Sequence, residues 1–211
     1  MKITKYGHAC LLVEEGSARL LIDPGSYSNG FEELTNLDAI LITHDHHDHF
    51  EIDNIKALLK HNTDAVLLAD SSSAAILADA GYTVKSMKSG DTTKIGAVEV
   101  EAIGELHAEI HSTIPQAINV GYRIGDDFFY PGDALTIPDF RVRVLAIPSV
   151  APWSKVSETI DYLLAVKPKV AIPVHDGILS RPSLYGQMLG RFAEPIGTVL
   201  SVIEPGVTVE F

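Results

Sequence analysis

Cysteine is nearly absent: Cys10 is the only one in 211 residues. No internal disulfide is therefore available, and no metal site can be built from thiolates. No apolar stretch approaches the ~18 consecutive residues that a membrane-spanning helix needs. The first ten residues contain Tyr6, Gly7 and His8 and lack the basic-then-apolar layout of a secretory signal, so the cytoplasm is the expected location. Basic runs are missing too. Lys and Arg number 16 against 28 Asp and Glu, a formal net charge of −12. That balance disfavours a nucleic-acid partner, because gripping a phosphate backbone takes clustered cations. Linkers, low-complexity tracts and short-period repeats are also lacking, and residues 1–211 are expected to form a single domain.

Short β-type runs fill the N-terminal third: Lys2–Tyr6, Leu11–Glu14 and Arg19–Ile22. Their close spacing predicts antiparallel strands joined by tight turns. Ala39–Ile42 is a fully apolar run that ends at a histidine cluster, which predicts a buried strand delivering those histidines at its C-terminal end. Ile52, Ile55, Leu58 and Leu59 recur at helical spacing, predicting a helix over Glu51–Lys60 that stops at Asn62. A strand over Ala65–Ala69 and a helix over Ser72–Ala80 follow, and strands dominate from Thr92 to Tyr130. The last third alternates: strand Val144–Ile147, helix Val156–Val166, strand Val170–Pro173, helix Leu184–Phe192, strand Thr198–Val202. Strands and helices in both halves imply an α/β protein whose sheets are covered by helices on their outer faces.

The chemistry concentrates at residues 43–49, Thr-His-Asp-His-His-Asp-His. Within it lies H-x-H-x-D-H: His44, His46, Asp48 and His49. Four such side chains in six residues serve two ions more easily than one. In extended backbone His44 and His46 leave on the same face, while Asp48 and His49 fall where the chain turns toward the following helix. Imidazole and carboxylate donors suit zinc, with manganese or iron as alternatives.

This motif resembles the signature of the metallo-β-lactamase fold superfamily. The resemblance implies a four-layer αββα sandwich, two mixed β-sheets flanked by helices, with a dinuclear metal site at one edge. Leu21-Ile22-Asp23-Pro24-Gly25 is similar to the early strand whose aspartate supports that site from behind. Tyr130-Pro131-Gly132-Asp133 is similar to the strand end carrying a metal-bridging carboxylate, and Pro173-Val174-His175-Asp176 to the one carrying the last histidine. One further histidine is expected between them. His107 and His111 both qualify, and His107 is preferred because it stands nearer the end of the Val98–Ile103 strand. The Gly7-His8-Ala9-Cys10 start resembles the branch of L-ascorbate-6-phosphate lactonase-like proteins, distant relatives of N-acylphosphatidylethanolamine phospholipase D.

The resemblance implies two divalent ions, with His44, His46 and His107 on the first, Asp48, His49 and His175 on the second, and Asp133 bridging them. Asp48 would also orient the attacking water and take its proton. His8, Asp23, His111, Lys155 and Asp176 are candidates for contacts behind the ligands or with substrate. Asp23 is expected to hydrogen-bond a ligand histidine, and Asp176 to do the same or to cap the following loop. Lys155, in Pro152-Trp153-Ser154-Lys155, could meet an anion, as could Arg181. Trp153 is expected to pack in the turn, His61 to close a helix, and His47 to stay off the ligand pattern. The implied activity is hydrolysis of an ester, lactone or phosphoester bond in a small molecule. An iron-dependent oxidoreductase or dioxygenase, or a non-catalytic metal-binding protein, is the alternative.

Overall fold

The computed structural model describes residues 1–211. Its first strands, β1 (Lys2–Lys5), β2 (Leu11–Glu15) and β3 (Ala18–Ile22), form an antiparallel meander. Strand β4 (Ala39–Ile42) pairs parallel with β3, and two crossover helices then extend the sheet. Helix α1 (Ile52–His61) leads to β5 (Val66–Ala69), and α2 (Ser71–Asp79) leads to β6 (Val84–Ser86). Both new pairings are parallel.

The second sheet repeats the scheme. β7 (Thr92–Ile95), β8 (Val98–Ile103), β9 (Gly121–Ile124) and β10 (Phe128–Tyr130) pair antiparallel in sequence. β11 (Val144–Pro148), β12 (Val170–Val174) and β13 (Val199–Leu200) then add in parallel. Helices α3 (Val156–Val166) and α4 (Pro182–Ala193) make the crossovers. The last strand, β14 (Thr208–Glu210), returns to pair with β1, so each sheet has seven strands.

Alternation along the strands explains the layers. On β3 and β4, Leu20, Ile22, Ala39 and Leu41 enter one buried cluster, and Leu21, Ile40 and Ile42 enter another. On β11, Val144 and Ala146 join the first cluster while Leu145 and Ile147 join a third. Successive side chains point to opposite faces, so each central strand is apolar on both. The first cluster fills the space between the sheets, the second includes Ile55 and Leu58 of α1, and the third includes Tyr162 and Leu163 of α3. Two sheets with helices outside them make the expected αββα sandwich.

Most elements lie within one or two residues of the sequence reading. Asn62 does stop α1: its Nδ2 donates to Leu58 O at 2.9 Å and to Leu34 O at 2.7 Å. Three differences stand out. The segment from Gly104 to Val120 is a loop crossed by an isolated Leu106–Ile118 bridge, not continuous strand; Gly104, at φ +86°, turns the chain out of β8. The strand expected over Thr198–Val202 shrinks to Val199–Leu200. Edge strands β6 and β14 escaped notice because three residues carry no readable alternation.

Candidate metal centre

The strand ends converge. Asp23 follows β3, His44 follows β4, Asp133 follows β10 and His175 follows β12, all near C-terminal ends of strands in the parallel halves of the two sheets. His107 arrives from the loop after β8, and His8 precedes β2. Ligand atoms of His44, His46 and His107 lie within 4.8 Å of one another, as do those of His8, Asp48, His49 and His175, and those of His44, His49 and Asp133. Asp133 stands between these groups. Its Oδ1 is 3.2 Å from His49 Nε2, and its Oδ2 is 3.0 Å from His175 Nε2 and 3.4 Å from His107 Nε2.

Local backbone makes this convergence possible. An added Cβ on Gly25 would sit 2.0 Å from Asp48 O, so only glycine lets the β3–β4 connection pass the H-x-H-x-D-H turn. Gly132 has φ +65°, and a Cβ there would meet Asn119 Oδ1 at 2.4 Å. That Asn119 oxygen accepts from Asp133 N at 3.0 Å, and its amide donates to Pro131 O at 2.9 Å. Asn119, unnoticed in the sequence, therefore holds the turn that presents Asp133.

Each buried histidine has its outer nitrogen committed. His49 Nδ1 faces Asp23 Oδ2 at 2.7 Å, His175 Nδ1 faces Val150 O at 2.7 Å, and His107 Nδ1 faces Ala108 O at 2.6 Å. Those oxygens only accept, so Nδ1 carries the proton in all three. Thr43 Oγ1 donates its one proton to Asp23 Oδ2 at 2.7 Å, so at 3.0 Å it accepts from His44 Nδ1. The Nε2 atoms of His44, His49, His107 and His175, and Asp133 Oδ1, are all buried without a hydrogen-bond partner. Buried polar atoms are seldom orphaned, and four free imidazole lone pairs beside a carboxylate fit divalent cations. Outer hydrogen bonds of this kind fix the tautomer and raise ligand basicity.

The carboxylates and imidazoles act on one another's charge. Against burial, His175 and His8 beside it hold the Asp48 carboxyl well below its usual range, and His49, with His107 and His175 close by, does the same for Asp133. Burial would lower His175, but Asp133 and Asp48 lift it to about 9; Asp133 and Asp23 likewise raise His49. Burial, with His49 beside it, keeps His44 neutral. Two ionised carboxylates, Asp133 buried and Asp48 half-buried, call for positive charge nearby.

The other candidates divide. His8 is fully buried and 3.1 Å from Asp48 Oδ2. Asp23 accepts from His49 on the side of the ring away from the cluster's free nitrogens. His111 is exposed and faces Thr113 Oγ1 at 2.8 Å, away from the cluster. The Asp176 carboxylate is committed away from the candidate ligands; its Oδ1 pairs with buried Lys5 Nζ at 2.6 Å. Lys155 is the exposed N-cap of α3, its backbone N–H donating to Glu158 at 2.8 Å. Arg181 precedes α4 and lines a neighbouring hollow with Lys5. His61 ends α1, and exposed His47 uses its carbonyl to anchor Ser26. Trp153 differs from expectation. It does not merely pack: its Nε1 donates to Asp133 Oδ2 at 2.8 Å, and its ring lies 5.4 Å from that of His107.

A family model described as a beta-lactamase superfamily domain matches residues 2–175. The chain belongs to this family. It is 43% identical over 216 residues to Protein Rv0786c of Mycobacterium tuberculosis, covering 100% of each chain. It is 29% identical to a UPF0173 metal-dependent hydrolase of Archaeoglobus fulgidus, covering 83% of each. Among solved structures, Igni18, a metallo hydrolase of Ignicoccus hospitalis, superposes with a TM-score of 0.79 at 20% identity, covering 100% of this chain and 98% of that one. CmlA, a diiron beta-hydroxylase of Streptomyces venezuelae, superposes at 0.73 with 17% identity, covering 100% of this chain and 54% of its own. These structures share the fold. No helix is long and apolar enough to cross a membrane.

Proposed function

We propose that this protein is a metal-dependent hydrolase that holds two divalent ions, zinc by preference, and opens an ester, lactone or phosphoester bond of a small molecule. The observation that carries the reading is the set of four buried Nε2 atoms and one carboxylate oxygen, all without partners, on residues whose ligand atoms gather in overlapping groups within 4.8 Å. The relatives named metal-dependent hydrolases support it. His44, His46 and His107 would hold one ion, Asp48, His49 and His175 the other, and Asp133 both. Bound ions of this kind supply acidified water at neutral pH and polarise the substrate oxygen.

The chain's own groups do the rest. Asp48 lines the cavity above the centre and is held ionised, so its carboxylate can accept a hydrogen bond from the attacking water and orient it. Asp23 and the Val150 and Ala108 carbonyls keep His49, His175 and His107 in the tautomer that leaves Nε2 free. Trp153 fixes one oxygen of Asp133. CmlA, a diiron beta-hydroxylase, shares the fold over 54% of its chain, so metal identity separates the two activities.

The test is a panel of lactones, aryl esters and phosphodiesters offered to metal-loaded protein, with Asp133→Asn beside it. The reading expects turnover of at least one class, loss on chelation, recovery with zinc, and a drop of at least ~100-fold in Asp133→Asn. Turnover that survives complete metal removal would defeat it.

A further inference from the structure

The cavity over the metal centre, about 270 Å³, has nine lining residues, four of them candidate ligands. The other five are Tyr27, Ile110, Pro152, Trp153 and Ile178. None is cationic. Tyr27 is 57% exposed, Ile110 45% and Ile178 46%, and they come from three loops far apart in sequence. Three large apolar side chains ringing a polar centre is an arrangement that exposure alone makes costly, and it marks a binding surface.

The nearby cations stand outside this wall. Lys5 is buried, 2.6 Å from Asp176, and belongs with Arg181 to the neighbouring hollow. Lys155 stands at the start of α3 and is absent from the cavity wall. The only charged side chains in that wall besides the histidines are Asp48 and Asp133. A charged group remote from the scissile bond would lose water there and gain no partner.

We infer that the site takes substrates whose reacting group meets the metals and whose flanking group is uncharged and apolar, an alkyl or aryl chain rather than a phosphorylated or carboxylated one. This rests on the metal-hydrolase reading above, and it separates the protein from enzymes acting on sugar-phosphate lactones. Ile110 and Ile178 are its specificity-determining residues.

Hydroxamic acids test it through binding, because their head chelates metal whatever the tail. Zinc-reconstituted protein would be titrated calorimetrically with acetohydroxamic acid, hexanohydroxamic acid and adipic acid monohydroxamate. Each methylene buried on the apolar rim should tighten binding about two- to fourfold. The hexanoyl compound should therefore bind at least ~10-fold tighter than the acetyl one. The adipic compound, equal in length but charged at its end, should bind no better than acetohydroxamate. Ile110→Ser with Ile178→Ser should flatten the series, the hexanoyl compound losing most of its advantage over acetohydroxamate; both side chains are exposed, so folding is not at risk. Ile110→Lys should reverse the preference toward the adipic compound. Equal affinity for all three in the wild type would overturn the inference and spare the metal centre. No binding of acetohydroxamate to protein that analysis shows to hold zinc would defeat the hydrolytic reading, and the inference with it.

Discussion

His8 presents a proton to Asp48. The backbone N–H of Gly177 donates to His8 Nδ1 at 3.1 Å, so that nitrogen is the acceptor of the ring and Nε2 carries the hydrogen, 3.1 Å from Asp48 Oδ2. His8 is thus set apart from the other buried histidines, whose Nδ1 atoms are protonated and whose Nε2 atoms are free. Although its Nε2 lies among ligand atoms, its tautomer suits a donor that aims a carboxylate, not a ligand.

Removing that donor should loosen Asp48. His8→Leu is expected to lower metal affinity at the second site and kcat/KM by about 10- to 100-fold, the usual range for groups that orient ligands. His8→Gln, which keeps an amide donor, should recover part of both. Chelator competition and steady-state kinetics read the two effects; wild-type values in His8→Leu would show that the contact is only packing.

The two histidines between Val98 and Asp133 should behave differently. His107→Ala is expected to abolish binding at the first site and with it hydrolysis. His111→Ala, altering an exposed side chain bonded to Thr113, should keep full metal content. Elemental analysis of both variants decides, and metal loss confined to His111→Ala would invert the assignment.

Trp153→Phe removes the indole donor to Asp133 and keeps an aromatic ring. A hydrogen bond to a charged group is worth about 1.5–3 kcal/mol, so kcat/KM should fall roughly tenfold or more with little change in thermal stability. An unchanged rate in a fully metallated Trp153→Phe protein would reduce the indole to wall material.

Much of this centre is legible in the chain because its densest part is local. H-x-H-x-D-H lies within six residues directly after an all-apolar strand, and spacing alone delivers four of the candidate ligands. Asp23, Asp133 and His175 are readable only through the resemblance of Leu21–Gly25, Tyr130–Asp133 and Pro173–Asp176 to the family's strand ends. Contacts across large sequence separations are not. Nothing near Asp176 signals that Lys5, 171 positions away, occupies it. Trp153 reads as a turn residue because its partner, Asp133, belongs to another sheet-end loop, and Asn119 has no motif at all. Lys5 meets Asp176 from the other sheet, while Trp153 and Asn119 meet Asp133 between loops of one sheet, and both kinds of contact are set by packing.

Asp70 gives a stability test away from the centre. It caps α2, with Oδ1 accepting from Ser72 N at 2.8 Å, while Oδ2 is buried without a partner. Burial pushes its carboxyl up to about 6 against those hydrogen bonds. A raised carboxyl means that the unfolded chain gives up the proton first, so stability falls as pH rises from about 4 to about 6. Asn caps a helix as well as Asp does. Asp70→Asn should match the wild type near pH 4 and exceed it by about 2 kcal/mol at pH 7.5, measured by urea unfolding. Equal stability at both pH values would remove the burial cost from the account.

The central claim is a centre built for two ions, and metal counting addresses it most directly. Protein purified without chelator and reconstituted with zinc should hold two ions per chain by elemental analysis. Asp48→Ala should lose the second and keep the first, held by His44, His46 and His107. Absence of stoichiometric metal, or a single ion per chain unaffected by Asp48→Ala, would contradict the account.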